Sequence, residues 1–263
     1  MLSARACGLL LLASPLMASP PPSWQTPSPG LEIGRFENPP VVVVRVDPAR
    51  YDFRLLSAKA LGLRTAPTAA EWVERHAVTG VINASMFQED RLTSVGYMRD
   101  GKAVNNASWS KDKAVFVSGP RAPGLPPVRI LDRSCEDAVG IARKYRVAVQ
   151  DIRMLDCRRR NVWAPQPRKS SVACVGTDGK GRVLLIHVRA HHDTHDLIDA
   201  LLRLPLDLQR LMYVEGGREA SLYVKVGGRV VVSETGDFVA GLLGTDEKSA
   251  VWPLPNVIGF AAR

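Results

Sequence analysis

The sequence predicts an α+β fold, with a single domain built on a mixed β-sheet, several hairpins and about three flanking helices. Short β-branched and apolar runs recur along most of the chain, as expected for strands. Glycine-containing turns join neighbouring runs at Asp100-Gly101, Asp178–Gly181 and Gly227-Gly228. Amphipathic helical patterns occur only occasionally between these runs. The chain therefore lacks the regular strand–helix alternation of a doubly wound parallel sheet.

The first strands of the domain are read from uninterrupted apolar runs. Val41–Val46 is unbroken and β-branched, and Tyr51–Ser57 can return as its hairpin partner. Gly80–Ile82 reads as a short buried strand that ends at Asn83. The later predicted strands are Val95–Met98 with Lys102–Val104, Ser171–Gly176 with Val183–Val188, Leu211–Val214, Leu222–Val226 with Arg229–Ser233, and a closing strand at Pro255–Phe260.

Three segments carry helix signals. The spacing of Thr68 and Glu71 is that of a capping box and predicts a helix over Ala69–His76. Ser134 could cap a second helix that runs through Tyr145. A third helix is capped by Asp193 or Thr194 and stops at Pro205, and its apolar stripe consists of Leu197, Ile198, Leu201 and Leu202.

The amino-terminal residues have the pattern of a secretory signal. Arg5 precedes the apolar run Gly8–Leu16, and small residues follow up to Ala18, where cleavage is expected. Because a membrane span needs roughly 20 apolar residues, no stable span is expected once the signal is removed. We predict a signal peptide at residues 1–18, a Pro/Ser-rich linker at 19–30 and one domain over 31–263. The protein is expected to be exported to the periplasm or the extracellular space.

Export makes a disulfide possible among the three cysteines of the mature chain. Two of Cys135, Cys157 and Cys174 could pair in an oxidising compartment, and one would remain. The sequence leaves the pair open. Cys174 lies in an apolar, strand-like run and is the candidate for a buried free thiol.

The charge balance favours an anionic partner. With 35 Lys and Arg against 26 Asp and Glu, the formal net charge is +9, which suits phosphates, phosphosugars, acidic glycans or nucleic acid. Nucleic acid is disfavoured by export, by an aromatic content of only 6% and by the lack of a basic run interleaved with aromatics. The oligomeric state is left open.

Several common catalytic classes are excluded by missing motifs. The chain has no GxSxG, Walker, HExxH or GxGxxG pattern, which removes the usual hydrolase, kinase and dehydrogenase interpretations. The cluster His191–His195 offers ligand types that suit a metal, but its side chains diverge around a helix start. We expect neither a metal nor a cofactor.

The segment Glu215-Gly216-Gly217 is the most suggestive local feature. A carboxylate follows an apolar strand, so Glu215 is the candidate general acid or base. Gly216 and Gly217 allow close approach of a ligand to the backbone, where free N–H groups can face an anion. The alternative is an ordinary Gly-Gly turn beside a solvated glutamate.

Other polar residues at strand ends could complete a site. Asn83 could bind a sugar hydroxyl or a phosphate oxygen, or it could only cap a turn. Arg189 ends a very apolar strand and is suited to contact an anion. Arg168 and Lys169 could assist it, or they could belong to a solvated basic loop.

Motifs taken in chain order resemble those of one known family. They are Val81–Phe87 (I-N-G-G-F-F in the family), Gly96 with Asp100–Lys102 (a glycine hairpin), Val172–Asp178 with Val183–Arg189 (an R-T-A-I-G hairpin), Asp196–Leu204 (a helix), Met212–Gly217 (L-D-G-G-G-S) and Pro255–Phe260 (a closing strand). This family is the phosphodiester glycosidases, and the resemblance covers about residues 40–260. The family's Asp is Glu215 here, its third Gly is Arg218, and the hydroxyl residue that follows is Glu219.

The resemblance implies cleavage of a sugar from a phosphodiester at the anomeric carbon. Glu215 would be the acid or base, Asn83 and Arg189 would contact the sugar and the phosphate, and Arg168 or Lys169 would assist. Our first hypothesis is an exported hydrolase acting on a phosphodiester-linked glycoconjugate. The alternative is a non-catalytic envelope protein that binds a phosphosugar or glycan with the same fold. The substitutions of family residues at Val172 and at Arg218–Glu219 favour this alternative.

Overall fold

Strands form most of the computed structural model, which describes residues 23–167, 169–189, 193–236 and 252–263. The predicted signal peptide, Arg168, His191 and His192 lie outside these residues. In chain order the strands are β1 (Ser23–Ser28), β2 (Leu31–Glu37), β3 (Pro40–Val46), β4 (Tyr51–Ser57), β5 (Gly80–Asn83), β6 (Met98–Asp100), β7 (Ala103–Asn106), β8 (Ala114–Pro120), β9 (Val128–Asp132), β10 (Tyr145–Asp151), β11 (Val172–Asp178), β12 (Val183–Val188), β13 (Leu208–Gly216), β14 (Ser221–Val226), β15 (Arg229–Thr235) and β16 (Asn256–Ala262). The helices are α1 (Ala69–His76), α2 (Ala138–Arg143) and α3 (Thr194–Arg203).

The strands are distributed over three sheets. The first has the order β1-β2-β3-β12-β11-β13, the second β7-β6-β10-β8-β9 and the third β15-β14-β5-β16-β4. All of the described pairings are antiparallel. The predicted α+β class is confirmed.

A central core joins the three sheets, and each helix covers the outer face of one of them. The central cluster includes Val175 from the first sheet, Phe116 from the second and Phe260 from the third. Outside it, α3 packs on the first sheet, α1 on the third and α2 on the second. With one face of each sheet on the central core and the other under a helix, many strands are apolar on both faces. The strand ends are therefore the positions where polar side chains can converge.

The prediction for α1 is confirmed in its bounds and in its cap. The Thr68 hydroxyl accepts the N–H of Glu71, and the Glu71 carboxylate accepts the N–H of Thr68 at 2.8 Å. Trp72, a residue of this helix, is fully buried, and its indole N–H donates to the carbonyl of Leu254 at 2.8 Å. The helix thus attaches the chain before β5 to the chain before β16.

Three expectations are corrected. Tyr51–Ser57 is not the hairpin partner of β3, because β3 pairs with β2 and β12 while β4 pairs with β16 in another sheet. The described part of the predicted linker instead forms β1 and the turn that leads into β2. The second helix begins after the cap Asp137 and ends at Arg143, so that Tyr145 already starts β10.

The disulfide left open by the sequence joins Cys135 to Cys157. It connects the turn after β9 to the loop after β10. Cys174 is the buried free thiol, as predicted, and burial raises its pKa well above the ordinary value. In the ranges covered by the structure, no helix is long and apolar enough to cross a membrane.

Candidate active site

Three strand ends, one from each sheet, bring polar side chains together. They are Glu215 near the end of β13, Asp151 at the end of β10 and Asn83 at the end of β5. The carbonyl of Ile152 accepts the N–H of Tyr213 at 3.0 Å, which ties the end of β10 to β13. The junction therefore depends on contacts between sheets that a reading of single segments cannot give.

Glu215 is a buried carboxyl group that lines a cavity. It is 8% exposed, and its Oε1 accepts the backbone N–H of Gly216 at 2.9 Å. The pKa of Glu215 is raised to about 7, mainly by burial; the Gly216 hydrogen bond opposes this shift and the charge of Glu219 adds to it. A carboxyl group with such a pKa can both hold and release a proton near neutral pH.

Asp151 is a second buried carboxyl group, which the sequence analysis missed. It is fully buried, and its Oδ1 accepts the N–H of Ile152 at 2.7 Å. Its Oδ2 has no hydrogen-bond partner within the described residues. Burial raises the pKa of Asp151 well above the usual range; the N–H of Ile152 and the nearby side chain of Ser85 oppose this shift, and the charges of Glu215 and Asp112 add to it. The signal for it was present, because Asp151 ends an apolar strand as Glu215 nearly does.

Burial favours the protonated form of both carboxyl groups. The charge of Glu215 adds to this effect at Asp151, and the charge of Glu219 adds to it at Glu215. Ionisation of Glu215 therefore makes the ionisation of Asp151 more difficult.

The two glycines after Glu215 are required for different reasons. A Cβ on Gly216 would overlap the hydroxyl of Tyr213, while Gly217 has a φ of +71° that favours glycine and open space around it. The N–H of Gly216 donates to Glu215, and that of Gly217 donates to the carbonyl of Ser171 at 2.9 Å. The expectation that these N–H groups face an anion is therefore corrected. They fix the turn and the carboxylate.

Asn83 is 3% exposed, and its side chain forms hydrogen bonds to backbone groups. Its Nδ2 donates to the carbonyl of Glu219 at 3.0 Å, and its Oδ1 accepts the N–H of Ser221 at 2.6 Å. Both ends of its amide thus hold the chain that follows the glycine turn. Asn83 supports the site in this way, and the structure does not present it to the cavity.

The cavity beside Glu215 has a volume of about 220 Å³. Its lining consists of Met86, Ile152, Trp163, Gln166, Ser170, Thr194, Tyr213, Glu215 and Gly216. The rings of Trp163 and Tyr213 lie 5.3 Å apart, centre to centre, with an angle of 38° between their planes. An aromatic wall, a few hydroxyl and amide groups and one carboxyl group are a common composition of a small-ligand site.

Two of the predicted cations, Arg189 and Lys169, lie at the end of the first sheet that is nearest to this cavity. Val188 pairs with Val172, which pairs on its other side with Gly216, so Arg189 lies roughly 10 Å from β13 at that end. Arg189 is exposed. Lys169 is also exposed and forms a β-bridge with Asp193.

Asp193 links Lys169 to the cavity lining. Its carboxylate caps α3 and also accepts the N–H of Gln166 at 2.6 Å. The Gln166 hydrogen bond is the main cause that lowers the pKa of Asp193, and the charges of His195 and Lys169 contribute. The loop that carries Lys169 and the start of α3 are thus held beside the cavity.

One cluster of possible metal ligands occurs in the described part of the chain, formed by Asp132, Cys135 and Cys157. The disulfide uses both sulfur atoms, and Asp132 accepts two hydrogen bonds from Arg153 at 2.8 and 2.7 Å. This group is therefore already satisfied without an ion.

A family model described as phosphodiester glycosidase matches residues 76–261, more than half of the chain. The chain belongs to the phosphodiester glycosidase family. The match includes Asn83, Asp151, Glu215 and both glycines, so the junction of the three sheets lies inside the family domain. No curated protein matches the chain.

Two solved structures share the fold. The first is the catalytic domain of zebrafish N-acetylglucosamine-1-phosphodiester alpha-N-acetylglucosaminidase, auto-inhibited by its pro-peptide, with 11% identity and a TM-score of 0.64 over 92% of this chain and 82% of that chain. The second is a hypothetical protein from Synechocystis, with 13% identity and a TM-score of 0.61 over 93% of this chain and 64% of that one. At these identities the likeness establishes the fold alone.

Proposed function

We propose that this member of the phosphodiester glycosidase family is an exported hydrolase that cleaves a sugar from a phosphodiester-linked glycoconjugate at the anomeric carbon. The observation that carries the proposal is Glu215, a buried carboxyl group that lines an aromatic-walled cavity and has a pKa of about 7. The activity named for the zebrafish relative supports the same reaction class.

In the proposed reaction, the bond between the anomeric carbon and the phosphate oxygen breaks, and the oxygen of a water molecule bonds to that carbon. Ionised Glu215 accepts the proton of this water and returns it to solvent. The leaving group is a phosphate monoester, which carries the electron pair of the broken bond as negative charge. Because this charge is spread over the phosphate oxygens, the departing group needs less help than the attacking water, so Glu215 acts as the base.

The remaining groups of the site bind the substrate or hold it in position. The faces of Trp163 and Tyr213 form the wall against which the sugar ring packs. Burial favours the neutral form of Asp151, which adds no charge beside Glu215. Arg189, assisted by Lys169 or Arg168, attracts the phosphate to the edge of the first sheet.

The activity is tested by incubating the purified protein with a panel of sugar phosphodiesters and measuring free sugar. Glu215→Gln keeps the size of the side chain but cannot take up the proton, and we expect turnover to fall by about 10²-fold or more. Glu37→Gln is the matched control, because Glu37 is exposed at the end of β2. A Glu215→Gln rate within a few-fold of the wild type would contradict the proposal.

The phosphate contact is tested by Arg189→Ala, with Arg229→Ala as the control on the exposed part of β15. We expect the affinity for a phosphodiester to fall by about tenfold while that for the neutral sugar is retained, because a charge-assisted bond contributes about 1.5–3 kcal/mol. An equal loss for charged and neutral ligands would show that Arg189 acts only on the structure.

A non-catalytic phosphosugar-binding protein is the second candidate. It is favoured by the Arg218–Glu219 ion pair, at 3.0 Å, which occupies positions where the family has small residues. Affinity for the panel without any released sugar, in wild-type protein, would support this candidate instead.

Export is the part of the proposal that depends on the amino-terminal pattern. The disulfide between Cys135 and Cys157 supports it, because such bonds persist mainly in oxidising compartments. Mass spectrometry of the protein from a native envelope fraction is expected to find an amino terminus after Ala18. An intact Met1 on cytoplasmic protein would contradict export.

A further inference from the structure

A second pocket, with a volume of about 340 Å³, lies next to the cavity of Glu215. Two chain segments separate the two spaces. Met86 lines the cavity while its neighbour Phe87 lines the second pocket, and Gly216 lines the cavity while Glu219 lines the second pocket. Neighbouring residues of the same two segments thus line the two spaces from opposite sides.

The second pocket has apolar ring surfaces. Phe87 and Trp252 line it together with two prolines, Pro253 and Pro255. The guanidinium carbon of Arg218 lies 4.2 Å from the centre of the Trp252 ring, which holds the indole in place from one side. Such a wall suits the apolar face of a ring-shaped ligand.

The second pocket also carries two cations, on Arg64 and Arg91. Both are exposed, and neither has an ion pair to another described residue.

The two carboxylates of this pocket are already engaged. Glu219 pairs with Arg218 at 3.0 Å. Asp90 accepts hydrogen bonds from the hydroxyl and the N–H of Thr93 and from the N–H of Leu92, and those of Thr93 are the main cause that holds the pKa of Asp90 at about 2. Because both carboxylates already have partners, the guanidinium groups of Arg64 and Arg91 are available to bind an anion of the ligand.

We propose that the second pocket binds a second sugar phosphate unit on the leaving-group side of the substrate. The substrate class is then a chain of sugars joined through phosphodiesters. One sugar occupies the cavity of Glu215, the next packs its ring on Trp252, and the phosphate beyond it contacts Arg64 and Arg91. The order of the two units rests on the proposed function, whereas the binding of a sugar phosphate at this pocket does not.

The pocket is tested by isothermal titration calorimetry of the full chain in phosphate-free buffer, with glucose 6-phosphate and inorganic phosphate as probes. Arg64→Ala combined with Arg91→Ala is expected to weaken both probes by about tenfold. Trp252→Ala is expected to weaken glucose 6-phosphate several-fold and to leave inorganic phosphate unchanged, because only the sugar has a ring. Arg121→Ala, an exposed arginine after β8, is the matched control.

Two results would overturn the assignment. One is equal affinity of the double arginine variant and the Arg121→Ala control for glucose 6-phosphate. The other is a loss confined to Arg189→Ala, which would locate the probe at the cavity of Glu215. Because these titrations need no turnover, their failure is distinct from that of the proposed reaction, which is judged by released sugar and by Glu215→Gln.

Discussion

Glu215 and Asn83 lie at or near the ends of buried strands in two different sheets, and in the sequence both are polar residues that follow an apolar run. In the folded protein they differ in how far their polar atoms are satisfied. Both ends of the Asn83 amide bind backbone groups, at 3.0 and 2.6 Å. Among the described residues, Glu215 accepts one hydrogen bond, from the N–H of Gly216, and burial is the main cause that raises its pKa to about 7. A polar residue at a strand end is thus structural when the backbone satisfies it and chemically active when it does not.

The largest expected difference between the two residues is the pH dependence of stability. The pKa of Glu215 is about 7 in the folded protein against 4.5 for the free group, so the folded state binds more protons between these values. The free energy of unfolding of the wild type therefore falls as the pH rises from about 4.5 to 7. Glu215→Gln lacks this penalty, and its stability relative to wild type should rise by about 3 kcal/mol between pH 4 and pH 8.

Urea unfolding of both proteins at a series of pH values checks this prediction. Glu37→Gln, at an exposed position, should show no such trend. Parallel curves for the wild type and Glu215→Gln would mean that the carboxyl group is solvated in the folded state.

Asn83→Ala, unlike Glu215→Gln, should lower the free energy of unfolding by a similar amount at every pH. The N–H of Ser221 would lose its acceptor in a buried place, whereas the carbonyl of Glu219 would keep the Ser221 hydroxyl as a donor. One unsatisfied buried donor costs about 2 kcal/mol. Urea unfolding at pH 5 and pH 8 should give similar losses, and a strongly pH-dependent loss would contradict the role of Asn83 as a backbone clamp.

The glycine turn can be tested by a double-mutant cycle. Gly216→Ala brings its Cβ against the Tyr213 hydroxyl and should cost about 1–2 kcal/mol. Tyr213→Phe removes that hydroxyl, so the double variant should recover most of the loss. Gly217→Ala serves as the comparison, because its cost of about 1 kcal/mol arises from the positive φ and should not respond to Tyr213→Phe. Additive losses for Gly216→Ala and Tyr213→Phe would contradict the contact.

The smallest effect is expected for Asp151→Asn. Because burial favours the neutral, protonated form of Asp151, a neutral amide in its place should leave the pKa of Glu215 unshifted. The acid limb of the pH–rate profile reports this pKa. A clear downward shift in the variant would show instead that Asp151 is charged and repels the charge of Glu215.

Local structure could be predicted from the sequence more completely than the candidate active site. The capping box of Thr68 and Glu71 and the glycine turns depend on neighbouring residues, and they were predicted correctly. The pairing of β4 with β16 joins segments about 200 residues apart, and no local pattern encodes it. Glu215 was found because glycines follow it, whereas Asp151 lacks such a mark and enters the site only through the contact of Ile152 with Tyr213.

Glu215 is proposed to take up and release a proton near neutral pH at the junction of the three sheets. A carbon-13 NMR titration of the side-chain carboxyl groups tests it most directly, with the resonance of Glu215 assigned by its loss in Glu215→Gln. We expect a midpoint near pH 7. A midpoint near the free value of 4.5 would contradict it and leave Glu215 as a solvated turn residue.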